Sequence, residues 1–354
     1  MKKLLVIACI TTAIVVIHAC KKKETGPVYR PTALQVKVPS YAKAYVGDMQ
    51  HPADNPLTVE GVALGRKLFY EKMLSNNNSI SCASCHKQAF NFDDPLPFSK
   101  GTNGSLGHRN AMAIVNLGYE KHFFWDGRRN SLEGQAHDPV TNPIEMANKW
   151  PEVVKRLQNS SVYPGLFFSA FGTKTIDSNL VVKAISQFER TLISFNSRFD
   201  KYYYLGDSSA LNDKEKRGLD IFTGKGLCNN CHLMNTLFTD GELRNNGLDT
   251  DPADNGLMNF TGLATDRGKF KVPTLRNIAE SAPYMHDSRF ANLEQVIEFY
   301  SSGVKQTSPN LDVHMPDFGS GLALSPIEKA DLAAFLRTLS DTGFLNNPLF
   351  ADPN

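Results

Sequence analysis

Two stretches of the chain run C-x-x-C-H: CASCH at 82–86 and CNNCH at 228–232. A chain that repeats this grouping must fold around whatever the thiols and imidazoles hold. The 354 residues contain six cysteines, and four of them form the pairs Cys82/Cys85 and Cys228/Cys231. A zinc site would need the two pairs to converge on one tetrahedral ion, and it gives no reason for a histidine at the same offset twice. A redox C-x-x-C leaves the histidines unexplained as well. Covalent haem attachment explains every position. The two thiols bond to the vinyl-derived carbons of the porphyrin, and the next residue offers an imidazole to the iron. The sequence predicts two c-type haems, on Cys82 and Cys85 with proximal His86, and on Cys228 and Cys231 with proximal His232. Zinc and disulfides are the competing readings.

The compartment agrees with that chemistry. Residues 1–19 carry Lys2 and Lys3, then an apolar run, and read as a signal peptide. The run is too short and too early to be a spanning helix of the mature protein. Ile17-His18-Ala19-Cys20 resembles a lipoprotein cleavage box, which makes Cys20 the lipidated first residue of a periplasmic, membrane-anchored protein. An ordinary cleaved signal is the alternative. Cys9 lies in the discarded segment. Residues 20–54 are polar and Pro-bearing and read as a tether, with Lys21–Lys23 as a solvated run. The whole chain has 38 Lys and Arg against 36 Asp and Glu, and loss of Lys2 and Lys3 leaves 36 of each. A neutral chain without a basic stripe argues against nucleic acid as a partner.

An internal repeat divides the remainder. EGVALGRKLFYEKML (60–74) and KEKRGLDIFTGKG (214–226) share Gly-x-x-aliphatic-Phe, as Gly65, Leu68, Phe69 and Gly218, Ile221, Phe222. Val62, Leu64, Leu68 and Phe69 recur at helical spacing. Each segment precedes a C-x-x-C-H. Each half closes on a second amphipathic pattern, AISQFERTLISF (184–195) and DLAAFLRTLSD (331–341), with Phe-x-Arg-Thr-Leu at Phe188–Leu192 and Phe335–Leu339. The domains are set at 55–205 and 206–342, followed by a tail at 343–354. LGDSSALND (205–213) is a turn cluster with Asp213 placed to cap the next helix. The long Gly/Asn/Pro-rich connections at 97–107 and 235–268 are expected to cover a cofactor or to function.

The segment HRNAMAIVNLGYEKHFFWDGRRNSLEGQAHDPVTNPIEM (108–146) resembles the bacterial di-haem cytochrome c peroxidases, as does KVPTLRNIAESAPYMHDSRFANLEQVIEFY (271–300). That family also includes the di-haem enzyme that matures methylamine dehydrogenase by oxidising tryptophans of its partner. The resemblance covers roughly residues 55–342. It implies a mainly α fold of two cytochrome c-like domains with one haem each. It implies a peroxide site at the first haem, with Glu145 as proton shuttle, Gln135 as hydrogen-bond donor and Pro139 shaping the pocket. Electrons from a small cytochrome c or cupredoxin arrive at the second haem, and Trp125 relays them between the two. A calcium ion is implied at the Asn110 side chain and the Ser281 and Pro283 carbonyls, oxygen donors that suit a hard cation. Family members are often homodimers.

Two positions depart from the family pattern. The distal histidine that blocks the first haem in many members falls, by counting back from Arg109, on Thr102. His108 is near but at the wrong offset, and reads as a loop residue. The first haem is therefore expected to be open in the oxidised protein. The methionine that ligates the second haem in the peroxidases falls on Tyr300, as in the tryptophan-oxidising relatives, with Met315 as the rival ligand. A phenolate is a hard anion and lowers a haem potential, whereas a thioether raises it. The expected function is reduction of hydrogen peroxide to water. The alternatives are a di-haem oxidase acting on a partner protein and a non-enzymatic electron carrier.

Overall fold

The computed structural model describes residues 28–234, 237–315 and 321–353. The signal peptide, Cys20, Lys21–Lys23 and two residues of the 235–268 connection lie outside the described residues. The described chain is mainly helical. Its one regular sheet among those residues is a two-stranded antiparallel pair, Leu243–Arg244 with Phe270–Lys271. No helix among the described residues is long and apolar enough to cross a membrane.

Each half is built on one crossed helix pair, and the repeated residues are the crossing points. In the first half Val59–Phe69 packs on Ser178–Glu189; in the second Asp213–Thr223 packs on Pro326–Arg337. A Cβ added to Gly65 would lie 1.8 Å from the Ala184 carbonyl oxygen, and one on Gly218 would lie 2.0 Å from that of Asp331. Only a residue without a side chain lets the backbones approach this closely. The repeated phenylalanines meet across the same crossing. The rings of Phe69 and Phe188 are 5.4 Å apart and those of Phe222 and Phe335 are 5.2 Å apart. All four are essentially inaccessible to solvent, and burying each contributes about 1.5–3 kcal/mol. Helix starts are capped by side chains. Thr58 Oγ1 accepts from the Gly61 amide, and Ser325 and Glu328 form a capping box. The helix after the turn cluster is capped by Asn212 rather than Asp213. Asn212 Oδ1 accepts from the Glu215 amide while Glu215 closes the reciprocal bond, so Asp213 becomes the first helical residue.

The linear division of the chain is crossed twice. Phe199, inside the segment assigned to the first half, sits in the second core. Phe344 and Phe350, in the segment read as a tail, sit in the first core. That segment holds a short helix, Thr342–Leu345. The segment read as a tether also contains a helix, Ser40–Val46, whose Ala42 is buried in a small cluster with Phe195 and Leu237.

Candidate functional site: two C-x-x-C-H centres

Both histidines are prepared in the same way. His86 Nδ1 lies 2.9 Å from the Phe92 carbonyl oxygen, and His232 Nδ1 lies 3.0 Å from that of Phe238. A carbonyl only accepts, so each Nδ1 carries the proton and each Nε2 keeps a free lone pair. Burial lowers both imidazole pKa values and keeps the rings neutral. The accepting residues are in register, six positions after each histidine, and both have left-handed backbone, with φ of 55° at Phe92 and 58° at Phe238. The four cysteines are free thiols. Burial holds all four thiols above their ordinary range, Cys228 at about 12 and Cys231 at about 11. Unbridged, half-buried thiols beside a neutral, oriented imidazole fit covalent haem attachment at each centre. They do not fit a single zinc site, because each pair belongs to its own core.

At the second centre a cavity of about 250 Å³ is walled by Cys228, Cys231 and His232, with Tyr300 and Met315 also on its surface. Both predicted sixth ligands therefore reach it. Tyr300 stands at the start of a π-helical turn, Phe299–Gly303, a local rewinding that often marks functional residues. Its hydroxyl oxygen accepts from Asn246 Nδ2 at 3.1 Å, and burial pushes the phenol pKa up to about 12. A donor aimed at the phenol oxygen favours the anion a ferric ion would bind, and a bound cation reverses the effect of burial.

At the first centre, Gln135 and Pro139 lie four residues apart on one face of Leu132–Thr141. The chain then turns back, with the Met146 amide donating to the Pro139 carbonyl at 3.2 Å. This brings Glu145 close enough to raise the Cys82 and Cys85 thiols electrostatically. Burial raises the Glu145 pKa; Asn142, whose Nδ2 donates to Oε1 at 2.5 Å, and Arg128 oppose the rise, while Asp138 adds to it. Thr102 is fixed on a neighbouring loop. Its amide donates to the Glu145 carbonyl at 2.8 Å, and its side chain bonds Asn77 and Ser79. Thr102 offers no metal-ligating imidazole, and His108 is exposed.

Trp125, Asn110 and His286 also line the cavity at the second centre. Trp125 Nε1 donates to the Asn110 carbonyl at 2.9 Å, the Asn110 amide donates to the His286 carbonyl at 2.8 Å, and the Trp125 and His286 rings are 6.5 Å apart. Phe270 stacks on His286 at 3.9 Å. Asn110, Ser281 and Pro283 all line this same cavity, and the buried Asn110 Nδ2 has no partner. A hard cation here would take the Asn110 side-chain oxygen and the two carbonyls; the unpartnered Nδ2 is a hydrogen-bond donor and does not bind one. No group of three or more His, Cys, Asp or Glu side chains that could hold a metal occurs among the described residues.

Sequence reasoning passes over Asn246, His286, Phe92 and Phe238. The last two were detectable, since the repeat extends to a phenylalanine six residues after each histidine. Asn246 lies 54 residues from Tyr300 and only tertiary structure brings it there. Glu189 was also missed. It is 3% exposed, one of its oxygens has no partner, and burial raises its pKa to about 8.

A duplicated helical scaffold with one C-x-x-C-H centre per core defines a two-centre redox protein. The chain belongs to the di-haem cytochrome c peroxidase family, whose model matches residues 59–209. It is 38% identical to methylamine utilization protein MauG of Methylorubrum extorquens over 82% of this chain and 80% of that protein. It is 36% identical to cytochrome c551 peroxidase of Nitrosomonas europaea over 70% of this chain and 74% of that one. A solved MauG-like protein associated with microbial copper homeostasis superposes with a TM-score of 0.79 at 35% identity, covering 91% of this chain and 99% of that chain. The family is one of oxidoreductases, and its members named here include both peroxidase and MauG types.

Proposed function

We propose that this protein is an exported di-haem peroxidase that reduces hydrogen peroxide to water at the first centre. One haem is attached through Cys82, Cys85 and His86, and the other through Cys228, Cys231 and His232. The haems supply redox-active iron; each peroxide reduced to two waters takes up two electrons and two protons. The observation that carries the proposal is the half-buried Glu145 beside the first cysteine pair, with Gln135 and Pro139 on the adjoining helix face. Glu145 accepts the proton of bound peroxide and returns it to the departing oxygen, the transfer that O–O cleavage requires. Burial moves its pKa upward, toward the range in which one group can both accept and return a proton. Gln135 donates a hydrogen bond to the peroxide, and Pro139 narrows the pocket. Electrons from a small cytochrome c or cupredoxin reach the second centre and cross by way of Trp125. Calcium at Asn110, Ser281 and Pro283 ties the two halves together. A lipid on Cys20 holds the protein at the periplasmic face of a membrane, and two copies pair as a homodimer.

A second reading is favoured by Tyr300. A phenolate ligand lowers the second haem's potential and makes electrons from an ordinary cytochrome harder to accept. The same centres would then oxidise a partner protein, as in the MauG-type relatives. Stopped-flow mixing with peroxide and reduced cytochrome c separates the readings. Catalytic oxidation of the cytochrome supports the peroxidase. Reaction with peroxide while the cytochrome stays reduced favours partner oxidation, and no reaction with peroxide leaves an electron carrier.

A further inference from the structure

The two phenylalanines that hold the proximal histidines are each packed from the opposite half of the chain. Phe92 stands edge-on to Phe344 at 5.8 Å and Phe350 at 6.5 Å. Phe238 stands edge-on to Phe199 at 5.1 Å. Phe199 and Phe344 are counterparts, seven and five residues after the leucine that closes each repeated Phe-x-Arg-Thr-Leu. The segment leaving the first half thus supports the second histidine, and the segment leaving the second half supports the first.

Both segments are pinned in place. The first carries helix Arg198–Tyr203, whose Asp200 meets Arg276 at 2.7 Å with both side chains fully buried. The Phe199 amide donates to the Thr338 carbonyl at 3.1 Å. In the second segment the Asp341 amide donates to Asn277 Oδ1 at 2.6 Å, and Asp341 Oδ2 accepts from the Asn196 amide at 2.9 Å. Gln88, two residues after His86, donates to the Asn347 carbonyl at 2.8 Å. Arg66 Nη2 donates to the Pro348 carbonyl and the Tyr70 hydroxyl to that of Phe350, each at 2.8 Å.

We propose that the two halves exchange the supports of their haem ligands, with Phe344 and Phe350 as positioning residues for His86 and Phe199 as the positioning residue for His232. The inference rests on the haem-attachment reading. A strong Nδ1–H···O bond makes an imidazole a better donor to its metal, so whatever fixes the accepting carbonyl tunes the iron. Both carbonyls belong to residues in left-handed backbone, a conformation that a large side chain keeps only when its surroundings impose it. Removing the outer ring releases that constraint.

The test compares full-length holoproteins carrying F344A, F344L and F199A, with the two haems told apart by their EPR signals. F344A is expected to raise the first haem's potential and lower its ferrous iron–histidine stretching frequency, leaving the second haem unchanged. F344L restores part of both shifts. F199A moves the second haem's potential and not the first. Wild-type potentials and stretching frequencies in F344A and F199A, accompanied only by lower melting temperatures, would overturn the proposal. So would a shift confined to the haem of the same half. If F344A does not fold, F344L and Q88A carry the test. A wild-type chain that takes up no covalent haem overturns the attachment reading and this inference with it.

Discussion

Replacing Glu145 with glutamine isolates proton transfer from every other property of the first centre. Glutamine keeps the volume and the Oε1 atom that accepts from Asn142 Nδ2, so the turn over 142–146 survives and stability changes little. What disappears is the ionisable proton. A positioned general acid–base is worth roughly 10²–10⁴-fold, which corresponds to about 2.7–5.4 kcal/mol of barrier. The kcat/KM for peroxide, measured with pre-reduced cytochrome c in excess, should fall by that factor. The pH profile gives a second reading of the same residue. Burial places the Glu145 pKa above the ordinary carboxylate range, so the proton-accepting form is lost as pH falls through that raised value. The wild-type rate should decline on this acidic limb, and the limb should be absent in E145Q. Asp138 contributes to the raised pKa, so D138N should move the limb to lower pH. A Glu145→Gln enzyme within threefold of wild type, with its acidic limb intact, would refute the assignment.

Three further outcomes follow from the same geometry. Y300F should change the ferric spectrum of the second haem and raise its potential, whereas M315A should leave both as they are; the reverse pattern would make Met315 the ligand. G218A gains the reduced chain entropy of alanine, about 0.4–1 kcal/mol. It also forces the crossing helices apart by placing a Cβ 2.0 Å from the Asp331 carbonyl. With overpacking costing about 1–3 kcal/mol, net destabilisation is expected in a thermal melt. Glu189 has a folded pKa of about 8, raised by burial, so its contribution is fully present below the ordinary carboxylate range and is lost as pH rises through about 8. Urea midpoints at pH 5 and pH 9 should differ more in wild type than in E189Q.

What could be read from the sequence was whatever repeats or sits at fixed spacing. Gly65 and Gly218, the Phe-x-Arg-Thr-Leu pairs and the two C-x-x-C-H groups declared a duplicated helical scaffold. The structure explains that repeat, because those glycines and phenylalanines are the helix crossings. The positions of Glu145, Gln135 and Pro139 came from resemblance. Nothing in their local spacing says that the chain doubles back after Thr141 to bring Glu145 toward the cysteines. The exchanged segments could not be seen at all. A linear reading ends a domain where its helices end, and Phe199, Phe344 and Phe350 look like ordinary connection and tail residues. Their roles come from contacts across the halves, Phe92 with Phe344 spanning 252 positions. Asn246 beside Tyr300 is hidden for the same reason.

The central claim is that the first centre is an open peroxide site served by Glu145, with Thr102 where a blocking histidine would stand. The most direct test mixes the fully oxidised, as-isolated holoprotein with peroxide and pre-reduced cytochrome c and follows the cytochrome from the first turnover. The account predicts immediate oxidation of the cytochrome, with the same rate whether or not the protein was pre-reduced. A lag abolished by pre-reduction, with low-spin ferric spectra at both haems, would contradict it.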